Sequence, residues 1–212
     1  MDLAAADRTF LWHPFTQQRG WMDEEPVIVD RAEGTMLIDV EGRRYIDGVS
    51  SLWCNVHGHR HPRIDAAVRD QLERVAHSTM LGLSHRPGIE LARRLVGLAP
   101  PGLTRVFYSD SGSTATEIAL KMAFQYWRLL GDERRTGFIC LRDAYHGDTI
   151  GSVSVGGIDL FHATFRRLLF ETHHAEPGDA AHMRALLEAH GDRVAAVVME
   201  PLVQGAAGMI VH

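Results

Sequence analysis

The sequence is short of several residue types, and each shortage excludes a class of protein or of chemistry. Its 22 basic residues include a single lysine, Lys121, so any step that needs a lysine amine has one candidate here. The two cysteines, Cys54 and Cys140, show no metal-ligand spacing and are too few for a disulfide framework. No apolar run approaches the roughly 20 residues of a membrane-spanning helix, and the N-terminus lacks the basic start and apolar core of a signal peptide.

The charge balance excludes a further class. The net charge is −5 and no basic run occurs, which argues against nucleic-acid binding. Hydrophobic residues make up 45% and charged residues 23%, the mix of a globular protein. With two isolated cysteines, this composition predicts a cytoplasmic protein.

One stretch predicts an anion site. Thr104–Tyr108 is β-branched and aromatic, as expected of a strand, and Ser109–Ser113 are small residues suited to a tight loop. A helix to about Leu130 follows, because apolar residues recur at helical spacing: Ile118, Ala119, Met122, Ala123 and Tyr126. A strand, a Gly/Ser loop and a helix N-terminus form a geometry that binds phosphate. An ordinary N-capped helix explains the same residues. The loop is neither a Walker loop nor GxGxxG, so a nucleotide is not indicated.

The remaining pattern predicts a small segment followed by an α/β domain. Short apolar runs at residues 27–29, 36–38 and 45–46 indicate an antiparallel meander. Helices are predicted at 62–77 and 89–96. Beyond these, strands are predicted at 104–108, 137–141 and 194–199. They alternate with a short helix or turn at 148–155 and with helices at 160–167 and 179–190, which predicts a largely parallel sheet. Residues 194–199 are apolar throughout, as in a strand buried on both faces. We divide the chain into residues 1–60 and 61–212.

Two side chains are predicted at the same sheet edge as the small-residue loop. Tyr145 follows the strand that ends at Leu141, and ligands of parallel sheets lie beyond such strand ends. Its ring can stack on a flat cofactor or simply pack on the sheet. Glu200 ends the last strand, where it either orients a polar group or is solvated.

The alternating histidines His57, His59 and His61 do not predict a metal site. Gly58 and Pro62 indicate a loop that enters a helix, and no acidic or cysteine ligand is near them in sequence. We interpret them as hydrogen-bonded loop histidines.

Four segments, in order along the chain, resemble the class III aminotransferases that use pyridoxal phosphate: Ser109–Ser113, Glu117–Ala123, Tyr145–Thr149 and Glu200–Gly205. The resemblance implies a fold-type I transferase, with the first part of a three-layer α/β/α cofactor domain at 61–212 after a small α+β segment. It implies pyridoxal 5'-phosphate as cofactor, with Ser111, Gly112 and Ser113 at the phosphate and Tyr145 stacked on the pyridine ring.

Three more segments, Trp12–Thr16, Asp47–Trp53 and Ala76–Thr79, resemble a branch of that class in biotin biosynthesis. This branch moves an amino group from adenosylmethionine, or from lysine in some relatives, to 8-amino-7-oxononanoate, giving 7,8-diaminononanoate. The resemblance implies that Phe15, Leu52, Trp53 and Tyr145 contact substrate and that the complete enzyme is a homodimer. Phe15 stands where the commonest pattern has a tyrosine, and Leu52 stands where it has a tryptophan. With these two changes, this sequence is closer to the relatives that use lysine. The alternatives are a class III enzyme for ω-amino acids or diamines, and a non-catalytic remnant.

Members of the class run to about double this length. By resemblance, the aspartate that pairs with the pyridine nitrogen and the lysine that forms the Schiff base are expected beyond residue 212. Lys121 is a poor substitute, because it lies some 12 Å along the helix from Ser113. It is also spaced for an ion pair with Glu117. We therefore expect an incomplete, inactive N-terminal part of the enzyme.

Overall fold

The computed structural model describes residues 2–158, 162–206 and 210–211. The chain forms two compact units, Met1–Leu91 and Ala92–His212. The division into domains after residue 60 is not tested by this separation into units and stays a prediction. Each unit is described in turn.

The first unit contains the predicted antiparallel meander. Its three strands pair in the order β1-β2-β3, with bounds β1 Val29–Glu33, β2 Met36–Asp39 and β3 Arg44–Ile46. Two helices before the sheet, α1 (Leu3–Phe10) and α2 (Gln18–Trp21), were not predicted. The start of α1 has a sequence signal, the N-cap residue Asp2, whose carboxylate accepts the Ala5 amide at 2.7 Å.

A buried carboxylate organises the turn between β2 and β3. Asp39 is 1% exposed and accepts hydrogen bonds from Arg43 Nε at 2.6 Å and from the Tyr45 hydroxyl at 2.9 Å. Burial acts to raise the pKa of Asp39, but these bonds and two backbone amides outweigh it and hold the pKa at about 2. The carboxylate is therefore ionised wherever the unit is folded near neutral pH.

The rest of the first unit is a tight turn and two helices. The turn α3 (Ser50–Trp53) has left-handed backbone at all four residues. Asp47 holds it, accepting the Ser51 amide at 2.7 Å. Helix α4 (Pro62–Arg74) begins with proline in its first turn, as predicted. Helix α5 (Arg86–Leu98) starts in this unit and ends in the next.

The second unit is built on a parallel sheet, as predicted. Strands β4 (Gly137–Leu141), β5 (His173–Ala175) and β6 (Val194–Val198) pair in the order β5-β4-β6. The helices around them are α6 (Gly112–Leu129), α7 (Ile150–Ser154), a 3₁₀ helix at Ala163–Leu168, and α8 (Ala180–His190). A short antiparallel pair follows, β7 (Val203–Gln204) and β8 (Ile210–Val211).

The central strand β4 makes this unit three-layered. Its side chains alternate between faces: Phe138 and Cys140 are buried with Leu120 of α6, whereas Ile139 is in the cluster against which Met183 of α8 packs. Helices therefore cover both faces of the sheet. The predicted α/β/α arrangement is confirmed in this part of the chain.

Two predicted strands differ from the structure. Thr104–Tyr108 forms no strand, because it pairs with no other strand among the described residues. The prediction that β6 is buried on both faces is wrong for this chain, since Val197 is 39% exposed. Among the described residues β6 pairs only with β4, so it forms an edge of the sheet. Residues 160 and 161 of the predicted helix at 160–167 lie outside the described residues. No described helix is long and apolar enough to cross a membrane.

Candidate functional site

The first turn of α6 is closed by a capping box, and the space in front of its free amides is open. Ser111 and Thr114 form a reciprocal capping box, in which each side chain accepts the other residue's amide, at 3.2 Å and 3.0 Å. No described residue accepts a hydrogen bond from the amides of Gly112 or Ser113. Nothing lies within 4 Å of the place where a Cβ on Gly112 would be. Free amides at an open helix N-terminus fit a phosphate group.

The segment after β4 lies directly against this turn. The Asp148 amide donates to Ser113 Oγ at 3.1 Å, and Thr116 Oγ1 donates to the His146 carbonyl at 3.0 Å. Gly147 permits the approach, because its φ is 123° and an added Cβ would lie 2.1 Å from Ser113 Oγ. The structure thus brings together the two motifs that the sequence predicted at one sheet edge.

The hydroxyl of Tyr145 acts as a hydrogen-bond donor. The hydroxyl donates to Asp148 Oδ2 at 2.5 Å, and this bond, with burial second, raises the pKa of Tyr145 to about 12. The ring of His162 lies nearly parallel to that of Tyr145, with centroids 6.4 Å apart. Tyr145 is therefore a neutral aromatic surface at neutral pH and not a base.

Two side chains that follow β6 in the chain, Glu200 and Gln204 of β7, hold the Tyr145 segment through its backbone. Glu200 accepts the Tyr145 amide at 3.1 Å and the Gly205 amide at 3.0 Å. Gln204, fully buried, donates to the Arg142 carbonyl at 2.8 Å. The sequence left Glu200 open between an orienting role and a solvated strand end, and the structure makes it a backbone acceptor. Burial lowers the pKa of His146, opposed by the charge of Glu200.

Lys121 lies away from this site. It is exposed on α6 and lines an apolar groove of about 980 Å³ that also contacts Gly137 and His173. These residues begin strands, whereas the Ser113 and Tyr145 segments meet beyond the strand ends. The predicted ion pair with Glu117 does not form among the described residues, and the Glu117 carboxylate instead accepts the Gly151 amide at 2.6 Å.

The other predicted substrate contacts belong to the first unit. Phe15, Leu52 and Trp53 are all exposed there, while Tyr145 lies in the second unit. Leu52 and Trp53 are presented by the left-handed turn α3. A common pocket for these residues stays a prediction.

The loop histidines have other partners. His59 Nε2 lies 2.7 Å from Asp47 Oδ2 beneath α3, and the rings of His57 and His61 lie 5.8 Å apart. Within the described ranges, no group of three histidine, cysteine or acidic side chains could hold a metal ion.

Sequence reasoning missed the residues that join the two motifs. Ser152 Oγ donates to the Ser113 carbonyl at 3.0 Å, and the Glu117 carboxylate and His162 ring reach the same segment. The glycines at 147 and 151 were the available signal, since glycine often marks a close backbone approach. Their partners lie more than 30 residues away and cannot be read from local pattern.

Comparison with known proteins identifies the family. Residues 18–212 match the family described as aminotransferase class-III. The adenosylmethionine-8-amino-7-oxononanoate aminotransferase of Nitratidesulfovibrio vulgaris is 57% identical, over 99% of this chain and 42% of its own length. The enzyme of the same name from Geobacter sulfurreducens is 50% identical, over 97% of this chain and 49% of its own length. The chain thus spans about half the length of the curated relatives it matches.

Comparison with solved structures gives the same family. The Methanocaldococcus jannaschii adenosylmethionine-8-amino-7-oxononanoate aminotransferase has a TM-score of 0.94 at 45% identity, covering 99% of this chain and 49% of that one. The Pseudomonas jessenii omega transaminase in complex with PMP has a TM-score of 0.91 at 28% identity, covering 100% and 51%. The fold-type I prediction is confirmed by these neighbours, and aminotransferases of this class depend on pyridoxal phosphate. The chain belongs to the class III aminotransferases.

Proposed function

We propose that this chain provides the cofactor-binding part of an aminotransferase that transfers an amino group to 8-amino-7-oxononanoate in biotin biosynthesis. The observation that carries the proposal is the Asp148 amide on Ser113 Oγ, which fixes the Tyr145 segment beside the open turn of α6. The relative with this name from Nitratidesulfovibrio vulgaris is 57% identical. The omega transaminase of Pseudomonas jessenii is 28% identical, so the branch for ω-amino acids or diamines is the weaker candidate.

The residues of the site suit a flat, phosphorylated ligand. Pyridoxal phosphate supplies the electron-withdrawing ring on which amino transfer depends. The amides of Gly112 and Ser113 bind the phosphate at the positive end of α6, with Ser111 closing the turn as its cap. The Tyr145 ring, protonated and anchored by Asp148, offers a face to the pyridine.

The reaction also needs an amine nucleophile and proton carrier, which in this class is a lysine. We place that lysine, and the aspartate for the pyridine nitrogen, outside these 212 residues. The position of Lys121 supports this, because it lines a groove at the starts of the strands. We also propose that the complete enzyme is a cytoplasmic homodimer.

Phe15, Leu52 and Trp53 are proposed as contacts for the long keto-amine substrate. Phe15 lacks the hydroxyl of the commoner tyrosine, and Leu52 lacks the indole of the commoner tryptophan. This pattern is closer to that of the relatives that use lysine, so we propose lysine as the amino donor, with adenosylmethionine as the alternative.

The experiment joins this chain to the remaining sequence of the Nitratidesulfovibrio vulgaris relative and assays 7,8-diaminononanoate by mass spectrometry. Lysine and adenosylmethionine are offered as donors, and 8-amino-7-oxononanoate, an ω-keto acid and an amino aldehyde as acceptors. We expect turnover of 8-amino-7-oxononanoate by the joined protein and none by the chain alone. Turnover by the chain alone that Lys121→Ala abolishes would make Lys121 the catalytic lysine. Preference for the other acceptors would favour the ω-transaminase branch.

A further inference from the structure

Glu117 lies one turn after Ser113 on α6, yet its carboxylate serves a different segment. Glu117 Oε1 accepts the amide of Gly151 at 2.6 Å and that of Ser152 at 3.3 Å. Both amides are in the first turn of α7, where a helix has no partners of its own for its N–H groups. The carboxylate therefore fixes the start of α7 to the side of α6.

The contact leaves no room for a side chain at position 151. A Cβ on Gly151 would lie 2.4 Å from Glu117 Oε2 and 2.7 Å from its Cδ. Real Cβ atoms do not approach other atoms so closely, so alanine at 151 must displace the flexible end of Glu117. Two different substitutions, one on each partner, therefore remove the same contact.

The start of α7 is connected to both parts of the cofactor site. Ser152 Oγ donates to the Ser113 carbonyl at 3.0 Å, and Thr149 Oγ1 donates to Ser152 Oγ at 2.9 Å. Asp148, one residue earlier, holds the Tyr145 hydroxyl. A shift of this turn consequently moves Tyr145 relative to the first turn of α6.

We infer that Glu117 is a positioning residue that sets the distance between the phosphate-binding turn at Gly112–Ser113 and the ring of Tyr145. This inference rests on the proposed function of the site. It has a selective consequence. A ligand with both a phosphate and a ring needs the correct spacing, whereas inorganic phosphate uses only the amides at the start of α6. Loss of the Glu117 contact therefore weakens the first ligand and spares the second.

The test measures the affinities of pyridoxamine phosphate and of inorganic phosphate by calorimetry, on the joined protein described above and on its variants Glu117→Ala, Gly151→Ala and their combination. Pyridoxamine phosphate forms no covalent bond with an amine, so it reports the non-covalent site. We expect each single variant to bind it about tenfold more weakly, the effect of one hydrogen bond to a charged group. Phosphate affinity stays unchanged. The double variant is no weaker than either single one, because both remove the same contact.

Glu188→Ala makes the same chemical change on the exposed face of α8 and is expected to alter neither affinity. Thermal unfolding of every variant checks that it is folded, and Gly151→Ala tests the contact independently if Glu117→Ala does not fold. Equal weakening of both ligands, additive effects in the double variant, or wild-type affinity in both single variants would overturn the positioning role alone. Failure of the unsubstituted joined protein to bind pyridoxamine phosphate would overturn the proposed function of the site as well.

Discussion

The contact between Gly147 and Ser113 gives the sharpest test of how the site is built. In Gly147→Ala, the new Cβ would lie 2.1 Å from Ser113 Oγ and 2.7 Å from Ser113 Cα. The second atom is backbone, so rotation of the serine side chain cannot relieve the overlap. The chain must separate the Tyr145 segment from α6, and the hydrogen bond from the Asp148 amide to Ser113 Oγ is lost with it.

Three terms contribute to the expected loss of stability. A positive φ costs a residue with a Cβ about 1–2 kcal/mol, overpacking about 1–3 kcal/mol, and the lost hydrogen bond about 1 kcal/mol. Together they lower the free energy of unfolding by about 3–6 kcal/mol. For a chain of this length, the thermal midpoint falls by about 2–4 °C per kcal/mol. We therefore expect a decrease of about 6–24 °C, measured by circular dichroism at equal protein concentration.

Gly102→Ala is the matched control. Gly102 also has a positive φ, 97°, but nothing lies within 4 Å of its added Cβ. This variant pays only the conformational term, about 1–2 kcal/mol, so its midpoint decreases by only a few degrees. If both variants lose equal stability, the close approach to Ser113 contributes nothing and the reasoning fails.

Three further predictions follow from the same structure. Because the pKa of Asp39 is held at about 2, below its ordinary 3.8, its contribution to stability is present above about pH 4 and is lost as the pH falls through 2. Asp39→Asn should therefore lower the thermal midpoint at pH 7 and flatten its acid dependence, whereas Asp30→Asn, at an exposed pair, should do neither. Ser113→Ala in the joined enzyme should weaken cofactor binding about 10- to 100-fold, and an unchanged affinity with a collapsed rate would remove Ser113 from the phosphate site. The chain alone should elute as oligomers and bind a hydrophobic dye, since β6 is an edge of its sheet with Val197 exposed; a sharp monomer that binds no dye would contradict this.

The sequence predicted the elements whose signal is local. Strand β4 has the predicted bounds because five consecutive residues suit a buried strand, and α6 ends within one residue of its prediction because its apolar face repeats regularly. The predicted strand at Thr104–Tyr108 does not form, because strand-like composition gives no hydrogen-bonded ladder without a partner strand. The turn α3 could not be predicted, because no single residue in it favours left-handed backbone and the cause is Asp47.

The residues of the candidate site also divide into those that local sequence predicts and those that it does not. The residues proposed to face the ligand, Gly112, Ser113 and Tyr145, could be named from the sequence, because they lie in motifs whose composition indicates a phosphate turn and an aromatic surface; that they bind it stays a prediction. Residues that hold those motifs together were not, since the Glu117–Gly151 and Ser113–Asp148 contacts join positions 34 and 35 residues apart. Such contacts depend on how α6 packs against the segment after β4, which no local pattern encodes.

The hydroxyl of Ser113 illustrates why the supporting contacts decide the chemistry. A serine hydroxyl has one proton to donate and two lone pairs to accept. In the structure the Asp148 amide takes a lone pair, at 3.1 Å. An N–H donor there orients the hydroxyl with its proton directed elsewhere, which leaves that proton for an anion beside the amides of Gly112 and Ser113. A carbonyl in place of the Asp148 amide would instead take the proton and leave the oxygen lone pairs facing the phosphate, an arrangement that repels it. The partner of Ser113 Oγ therefore determines whether this hydroxyl has a proton to donate to an anion.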